Sequence, residues 1–461
     1  MKLDMLELFF LKMVDRPSKH KLLYLGKQQL ALLGFTPGQK LSLHVGFNKL
    51  AVEVAELHHE ASLATLYLSG AAFTELIHYH GGSLWLVFLS PKKMILGPTL
   101  AITVSSNTWK KIDKIYAIKK RALLALEKGI FFYCFHMSKV DLKSDLVEAY
   151  YLNPHKLQWM KALLPFPQVL YHRSTYPFDL YAKQTDTNNV YHKIWANPTI
   201  QKINNTYRFD KWSVYQALTS FHETSTIQPE TTLLSQSALK QFLNNFTFCY
   251  VKNIYGRGGK QVFQVKKEEA AYSCKAGGKK LRQWQFESLS KLYFFLREGL
   301  GEDLILQEGV PVARLNNRPF DIRVLVQKNI NAEWVITALS FRVAAAEAVV
   351  TNVAAGAKEI ALAPGDNLLG SGLAMDSLKN FTLKTLSALE AFYGRLGEVG
   401  LDVGLDKDGR LWLFEANSKP SSRGYKEAAS EDLCNQIFGI PLDYAKYLAR
   451  SLFKKLEGDY A

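Results

Sequence analysis

The chain has 461 residues and a formal net charge of +15, from 57 Lys and Arg against 42 Asp and Glu. With 48% hydrophobic and 21% charged residues it is not a disordered polymer, and its length allows two or three domains with substantial cores. Four cysteines, Cys134, Cys249, Cys274 and Cys434, lie far apart with no CxxC pair, which argues against a disulfide framework or a zinc site and favours a reducing compartment.

The early apolar run from Leu8 to Met13 is broken by Lys12 and has no small-residue cleavage site, so no secretory signal is expected. No apolar run is long enough for a membrane span. The positive charge admits nucleic acid, an anionic surface or a phosphorylated ligand without choosing among them. Neither a zinc-finger spacing nor an RNP-like signature is present, so nucleic acid is not the expected partner.

Three regions are expected in chain order. Residues 1–105 form a β-rich N-terminal domain: short strands at Leu41 to Val45, Leu50 to Val54, Leu63 to Leu68 and Leu84 to Leu89 are separated by turn signals at Thr36-Pro37-Gly38 and Gly81-Gly82. A short helix is expected over Ala71 to Tyr79. Residues 106–200 read as an α/β region, with a helix from Tyr116 to Lys128 closed by Gly129, a strand from Ile130 to Phe135, a short element at Leu146 to Leu152 and a strand at Val169 to Tyr171. His136, His155, His172 and His192 have no HxxxH spacing and read as surface or satisfied histidines. Residues 201–461 are the largest unit.

In that unit Asp210 is placed to cap a helix from Lys211 to Leu218, and a second short helix is expected over Ser235 to Asn244. The strand Phe248 to Lys252 leads into Asn253-Ile254-Tyr255-Gly256-Arg257-Gly258-Gly259-Lys260 and then into a strand from Gln261 to Val265. Strand, glycine-rich turn, strand is not a Walker A arrangement. The turn reads either as an ordinary hairpin or as a clamp whose backbone N–H groups fold over phosphate, with Lys252 supplying charge.

Two further strands carry unexpected polar residues, Leu304 to Val310 and Phe320 to Val326. In the second, Asp321, Arg323 and Leu325 share a face, so Arg323 either supports phosphoryl chemistry or pairs with Asp321 or Glu415. A strand follows from Trp334 to Val343, then an apolar run ending at Asn352. A helix from Leu378 to Leu396 carries a packing stripe of Leu378, Phe381, Thr385, Leu389, Phe392 and Leu396.

The hairpin LDVGLDKDGRLWLFEANSKP, residues 401–420, closes the set. If Leu405 faces Arg410 across the turn, Asp402 faces Leu413 and shares a face with Glu415 and Asn417, while Val403, Trp412, Phe414 and Ala416 point to the core. Two carboxylates and an amide on one face suit a hard cation such as Mg2+; the alternative is a solvated acidic hairpin.

The ordered set YVKNIYGRGGK, LILQEGV, FDIRVLVQ, VVTNVAAGA and LDVGLDKDGRLWLFEANSKP, with LGPTLAI, LPFPQVLYHR and FDKWSVYQAL ahead of it, resembles YheC/YheD-type endospore coat-associated proteins of the ATP-grasp superfamily. The fold implied by the resemblance is mixed α/β and α+β: the β-rich N-terminal domain, an α/β pre-ATP-grasp-like middle region and a C-terminal ATP-grasp fold over 201–461. It implies ATP and Mg2+ as cofactors. Lys211 and Lys252 are then the phosphate-binding lysines, and Gly256, Arg257, Gly258, Gly259 and Lys260 the phosphate lid. Gln307, Glu308 and Val310 form the adenine hinge, and Asp402, Glu415 and Asn417 are the metal ligands. Arg323, with Lys252, serves the transferred phosphate, and Arg342 and Asn352 line the acceptor side.

The activity implied is ligation of a small-molecule or peptide carboxylate to an amine or thiol through an acyl phosphate. The alternative is a nucleotide-binding spore-coat assembly or structural protein without turnover, with coat proteins as partners. The expected location is the mother-cell cytoplasm or the spore coat. One departure is visible: the segments Ala344-Ala345-Ala346-Glu347-Ala348 and Ala355-Gly356-Ala357-Lys358 are richer in alanine than the glycine-rich loop common in ligases of this fold.

Overall fold

The computed structural model describes residues 9–46, 48–58, 65–76, 84–90, 92–174, 176, 178, 183–256, 262–277, 281–344, 357–362, 374–421 and 430–458. They form two compact units, one drawn from residues 1–204, 328–333 and 438–461, the other from 205–327 and 334–437.

The first unit opens with a closed seven-stranded barrel running from Phe9–Arg16 to Lys93–Gly97, closed where the first strand pairs with Leu84–Ser90. Alternate residues fill its interior, among them Leu23, Leu25, Leu41, Leu43, Val45, Val52, Val54, Leu66 and Leu68, as a small barrel requires. The second sheet of this unit places Phe131–Phe135 between Thr99–Thr103 and Leu146–Leu152. All five residues of Phe131–Phe135 are buried, so a continuous apolar run here marks a strand covered on both faces. The helix Tyr116–Glu127 ends before Gly129, which has φ +66°. Its buried Arg121 lies 4.6 Å from the Phe438 ring and 5.5 Å from that of Tyr171. Lys128 donates to Asp443 at 2.8 Å.

The second unit contains two sheets. In the first, the strands run in the order Thr231–Leu233, Leu304–Glu308, Cys249–Asn253, Val262–Lys267, Tyr272–Ala276 and Arg282–Phe286. The helices Gln236–Asn245 and Leu289–Leu300 bury Leu239, Phe242, Leu292 and Leu296 in one core with Cys249, Val251, Val265 and Leu306.

In the second sheet the order is Lys358–Leu362, Trp334–Val343, Arg318–Lys328, Glu398–Leu405 and Leu411–Asn417. The helices Lys211–Thr219 and Met375–Tyr393 pack with one of its faces through Val214, Leu218, Leu378, Phe381 and Leu389. Because strand side chains alternate, this face takes Phe320, Ile322, Val324, Leu339, Phe341, Val399, Leu401 and Val403. The opposite face is left with Asp321, Arg323, Ser340, Arg342 and Asp402. The Met375–Tyr393 helix departs from the expected stripe at two positions: Phe392 is 49% exposed, and Leu396 is fully buried but lies beyond the helix end.

The hairpin register also differs from that expected by simple counting. Leu405 faces Leu411 and Val403 faces Leu413, but a bulge then intervenes, so Asp402 faces Glu415, Leu401 faces Ala416 and Gly400 faces Asn417. The extra residue is Phe414. The turn itself has already shifted the register by one residue, which reverses the facing expected for Trp412, Leu413 and Phe414: Leu413 enters the core, Trp412 does not join it, and Phe414 lines the charged face, while the bulge returns Glu415 and Ala416 to the faces expected. The Phe414 ring lies over Gly404, where a Cβ would collide with it.

Gly404→Ala is therefore expected to lower unfolding free energy by about 1–3 kcal/mol, measured by chemical denaturation. Adding Phe414→Ala should recover part of that loss; a double variant no better than the sum of its parts would show that the ring is not the obstacle.

Candidate nucleotide and metal site

The charged face of the second sheet is organised around Asp402. Arg323 stands beside it in the strand register, and the Arg323 Nε lies 2.5 Å from Asp402 Oδ1. Arg342 approaches from the neighbouring strand, with Nη2 2.9 Å from Asp402 Oδ2. The same guanidinium forms a fork with Asp321, donating from Nε to Oδ1 and from Nη2 to Oδ2, each at 2.6 Å. Burial alone would raise the Asp402 carboxyl, but Arg323 and Arg342 outweigh it and hold the carboxyl below its usual range. Burial likewise works against the Arg342 charge, while Asp402 and Asp321 reinforce it and raise the guanidinium further. Arg323 therefore takes Asp402 rather than Asp321 or Glu415, and the two cations and two anions cancel.

Lysines converge on this face from two other elements. Asp210 caps the Lys211–Thr219 helix, accepting from the Ser213 N–H at 2.8 Å. The cap fixes Lys211 at the first helical position, where its Nζ donates to the Gly256 carbonyl at 2.6 Å and lies 3.6 Å from Glu415 Oε1. Lys252, near the end of Cys249–Asn253, donates to Gln307 Oε1 at 2.5 Å, and Gln307 in turn donates to Thr231 Oγ1 at 3.0 Å. Burial, helped by the nearby charge of Lys211, lowers the Lys252 ammonium to about 8 despite Glu415 and Asp402.

A cavity of about 440 Å³ joins these groups, lined by Lys211, Lys252, Gly256, Gln307, Arg323, Arg342, Glu415 and Asn417. Asp402 sits beneath it, 4% exposed, held by the arginines. Of the expected hinge, Gln307 reaches the cavity; Glu308 instead accepts from the Glu230 N–H at 3.0 Å, and Val310 is buried. Arg257, Gly258, Gly259, Lys260 and Asn352 lie outside the described residues.

Some cavity residues were not anticipated from sequence. Arg208 lies 4.3 Å from the Tyr255 ring, and Glu359, Phe414 and Lys419 also line the space. Arg208 stands three positions before Lys211, a proximity that could have flagged it. Phe414 could not be placed without the register at the turn, which pairs Leu405 with Leu411.

The donor set suits a hard cation. Glu415 and Asn417 offer oxygen to the cavity, and Asp402 faces Glu415 across the hairpin. No cluster of three or more His, Cys, Asp or Glu residues able to hold a metal occurs among the described residues. A cation here would rest on carboxylate and amide oxygens together with those of its ligand.

The chain is similar to proteins of one known family. The model of YheC/D-like ATP-grasp domains matches residues 199–448. The chain is 23% identical over 430 residues to endospore coat-associated protein YheD of Bacillus subtilis (strain 168), covering 88% of this chain and 91% of that protein. It is 24% identical over 332 residues to endospore coat-associated protein YheC of the same organism, covering 70% and 90%. Among solved structures the chain is similar to D-cycloserine synthetase DcsG, at 12% identity and a TM-score of 0.47 over 76% of this chain and 99% of that one.

Two predictions follow from the charges. Asp402→Asn leaves two buried guanidinium groups short of a counter-charge and should destabilise the fold by about 3 kcal/mol, read from denaturant unfolding at neutral pH; a change within error would remove Asp402 from its organising role. Lys252 carries its charge below about pH 8. Its lowered value means that keeping it charged in the fold is unfavourable below that pH, a penalty relieved as pH rises from 8 towards the ordinary lysine value. Binding of a polyphosphate should run the opposite way, full below pH 8 and weakening above it, with proton uptake on binding near pH 8. ATP titrations from pH 7 to 9.5 test this, and Lys252→Arg should flatten the profile.

Proposed function

The chain belongs to the YheC/D-like ATP-grasp family, and on that premise we propose that it is an ATP- and Mg2+-dependent ligase joining a carboxylate to an amine or thiol through an acyl phosphate. The observation that carries this reading is the meeting of Lys211, Lys252, Arg323, Arg342, Glu415 and Asn417 around one cavity. Catalysis of phosphoryl transfer is largely positioning and charge stabilisation, and these residues supply both.

Lys211 and Lys252 bind the phosphate chain. Arg323, aligned by Asp402, stands where charge gathers on the transferred phosphoryl. A substrate carboxylate oxygen attacks the γ-phosphorus and ADP leaves; the amine or thiol then attacks the acyl carbon and inorganic phosphate leaves. Mg2+, held by Glu415 and Asn417 with Asp402 alongside, would supply neutralisation of the phosphate oxygens. No side-chain nucleophile is required, in keeping with the burial of all four cysteines.

A second reading draws on the relatives, which are named as endospore coat-associated proteins. In that reading the chain binds nucleotide and acts in coat assembly, in the mother-cell cytoplasm or at the coat. Its partners are coat proteins rather than substrates.

Phosphate release from Mg-ATP, screened against pools of carboxylates with amines or thiols, separates the two. The ligase reading expects release that needs both an acceptor pair and Mg2+. Glu415→Gln should reduce it by about 100-fold or more with the fold retained. Undiminished turnover in Glu415→Gln would overturn the metal assignment, and nucleotide binding with no release from any pair would favour the assembly role.

A further inference from the structure

Of the carboxylates that line the cavity, Asp210 is used as a helix cap and Glu415 is assigned to the cation, while Glu359 has neither use. Glu359 lies on Lys358–Leu362, facing Arg342 in the register, and lines the same space as the lysines. Its Oε1 accepts from Ser340 Oγ at 2.7 Å. No ion pair to Glu359 is formed among the described residues. Arg342 across the ladder is engaged by Asp321 and Asp402; Lys211 and Lys252 are engaged by Gly256 and Gln307.

A carboxylate here repels phosphate and has no role in holding it. It attracts a cation, and an alkylammonium can donate a charge-assisted hydrogen bond to the oxygen that Ser340 leaves open. A thiol gains nothing comparable, and a thiolate is repelled. We propose that Glu359 is a specificity-determining residue that seats the acceptor as its ammonium ion and takes one proton from it, freeing the nitrogen lone pair for attack on the acyl carbon as inorganic phosphate leaves, so that the second substrate is an amine rather than a thiol. This deepens the ligase reading and rests on it for the word acceptor; the ammonium seat itself is a binding property with its own test.

That test uses the full chain with two probes measured separately, glycinamide at pH 7 and ATP with Mg2+. Saturation-transfer NMR should detect glycinamide on the wild type and not acetamide, which has the amide but no ammonium. Glu359→Gln should weaken glycinamide by about tenfold or more, the scale of one charge-assisted hydrogen bond, while ATP affinity does not fall, a repelling charge having been removed. Ser340→Ala, which keeps the carboxylate but frees its orientation, should weaken glycinamide by a smaller factor and provides a second variant should the first fail to fold. Absence of glycinamide binding to the wild type, or equal binding to wild type and Glu359→Gln, overturns the seat whatever ATP does. Loss of glycinamide in the variant of a protein that binds no ATP upholds the seat and overturns the ligase reading.

Discussion

The second unit depends on a buried exchange of charge: Asp402 between Arg323 and Arg342, with Arg342 also clasped by Asp321. Ionised groups at this depth are tolerable only when each finds its counterpart at hydrogen-bonding range. The pairing has a directional result. Bidentate bonding fixes the plane of the Arg342 guanidinium, and Asp402 sets how Arg323 presents itself to the cavity. The cluster is neutral as a whole, so the lysines from the other elements decide the sign of their end of the cavity, and Glu359 stands apart as a charge of opposite sign.

A sheet with one apolar and one charged face is the means by which this cluster is held. Phe320, Ile322, Val324, Phe341, Leu401 and Val403 anchor one side to two helices, and the intervening residues have no choice but to point the other way. Charged side chains on such a rigid platform keep their positions better than the same residues on loops. The bulge at Phe414 belongs to this logic: one extra residue brings Glu415 level with Asp402 while keeping Leu413 and Ala416 in the core.

Much of this was legible in the chain, for identifiable reasons. Period-two alternation in FDIRVLVQ put Arg323 on the polar side, and Asp210 before Lys211 announced a capped helix, as found. The strand, turn, strand order around Lys252 also holds in the two flanking strands. Partner choice was less legible. Arg323 was expected to pair, if at all, with Asp321 or Glu415, and only the strand register reveals Asp402 as its partner. Counting from the turn misplaced Trp412, Leu413 and Phe414 because Leu405 pairs with Leu411 rather than Arg410, and the bulge that then restores Glu415 and Ala416 leaves no sure mark in residue type. Phe392 matched the helical period but sits in the solvent-facing last turn, where periodicity no longer implies burial. Glu359 was missed because a lone glutamate in a short strand carries no pattern; its meaning comes from its neighbours across the ladder.

The barrel at the front of the chain bears on how such a protein behaves in crowded company. Its strands return on themselves, so the backbone N–H and C=O groups that an open sheet would expose at its margins are used internally. A foreign strand finds no free margin there on which to dock, and the barrel is thereby guarded against edge-to-edge aggregation. That closure leaves the barrel to make its associations through side chains rather than through its backbone.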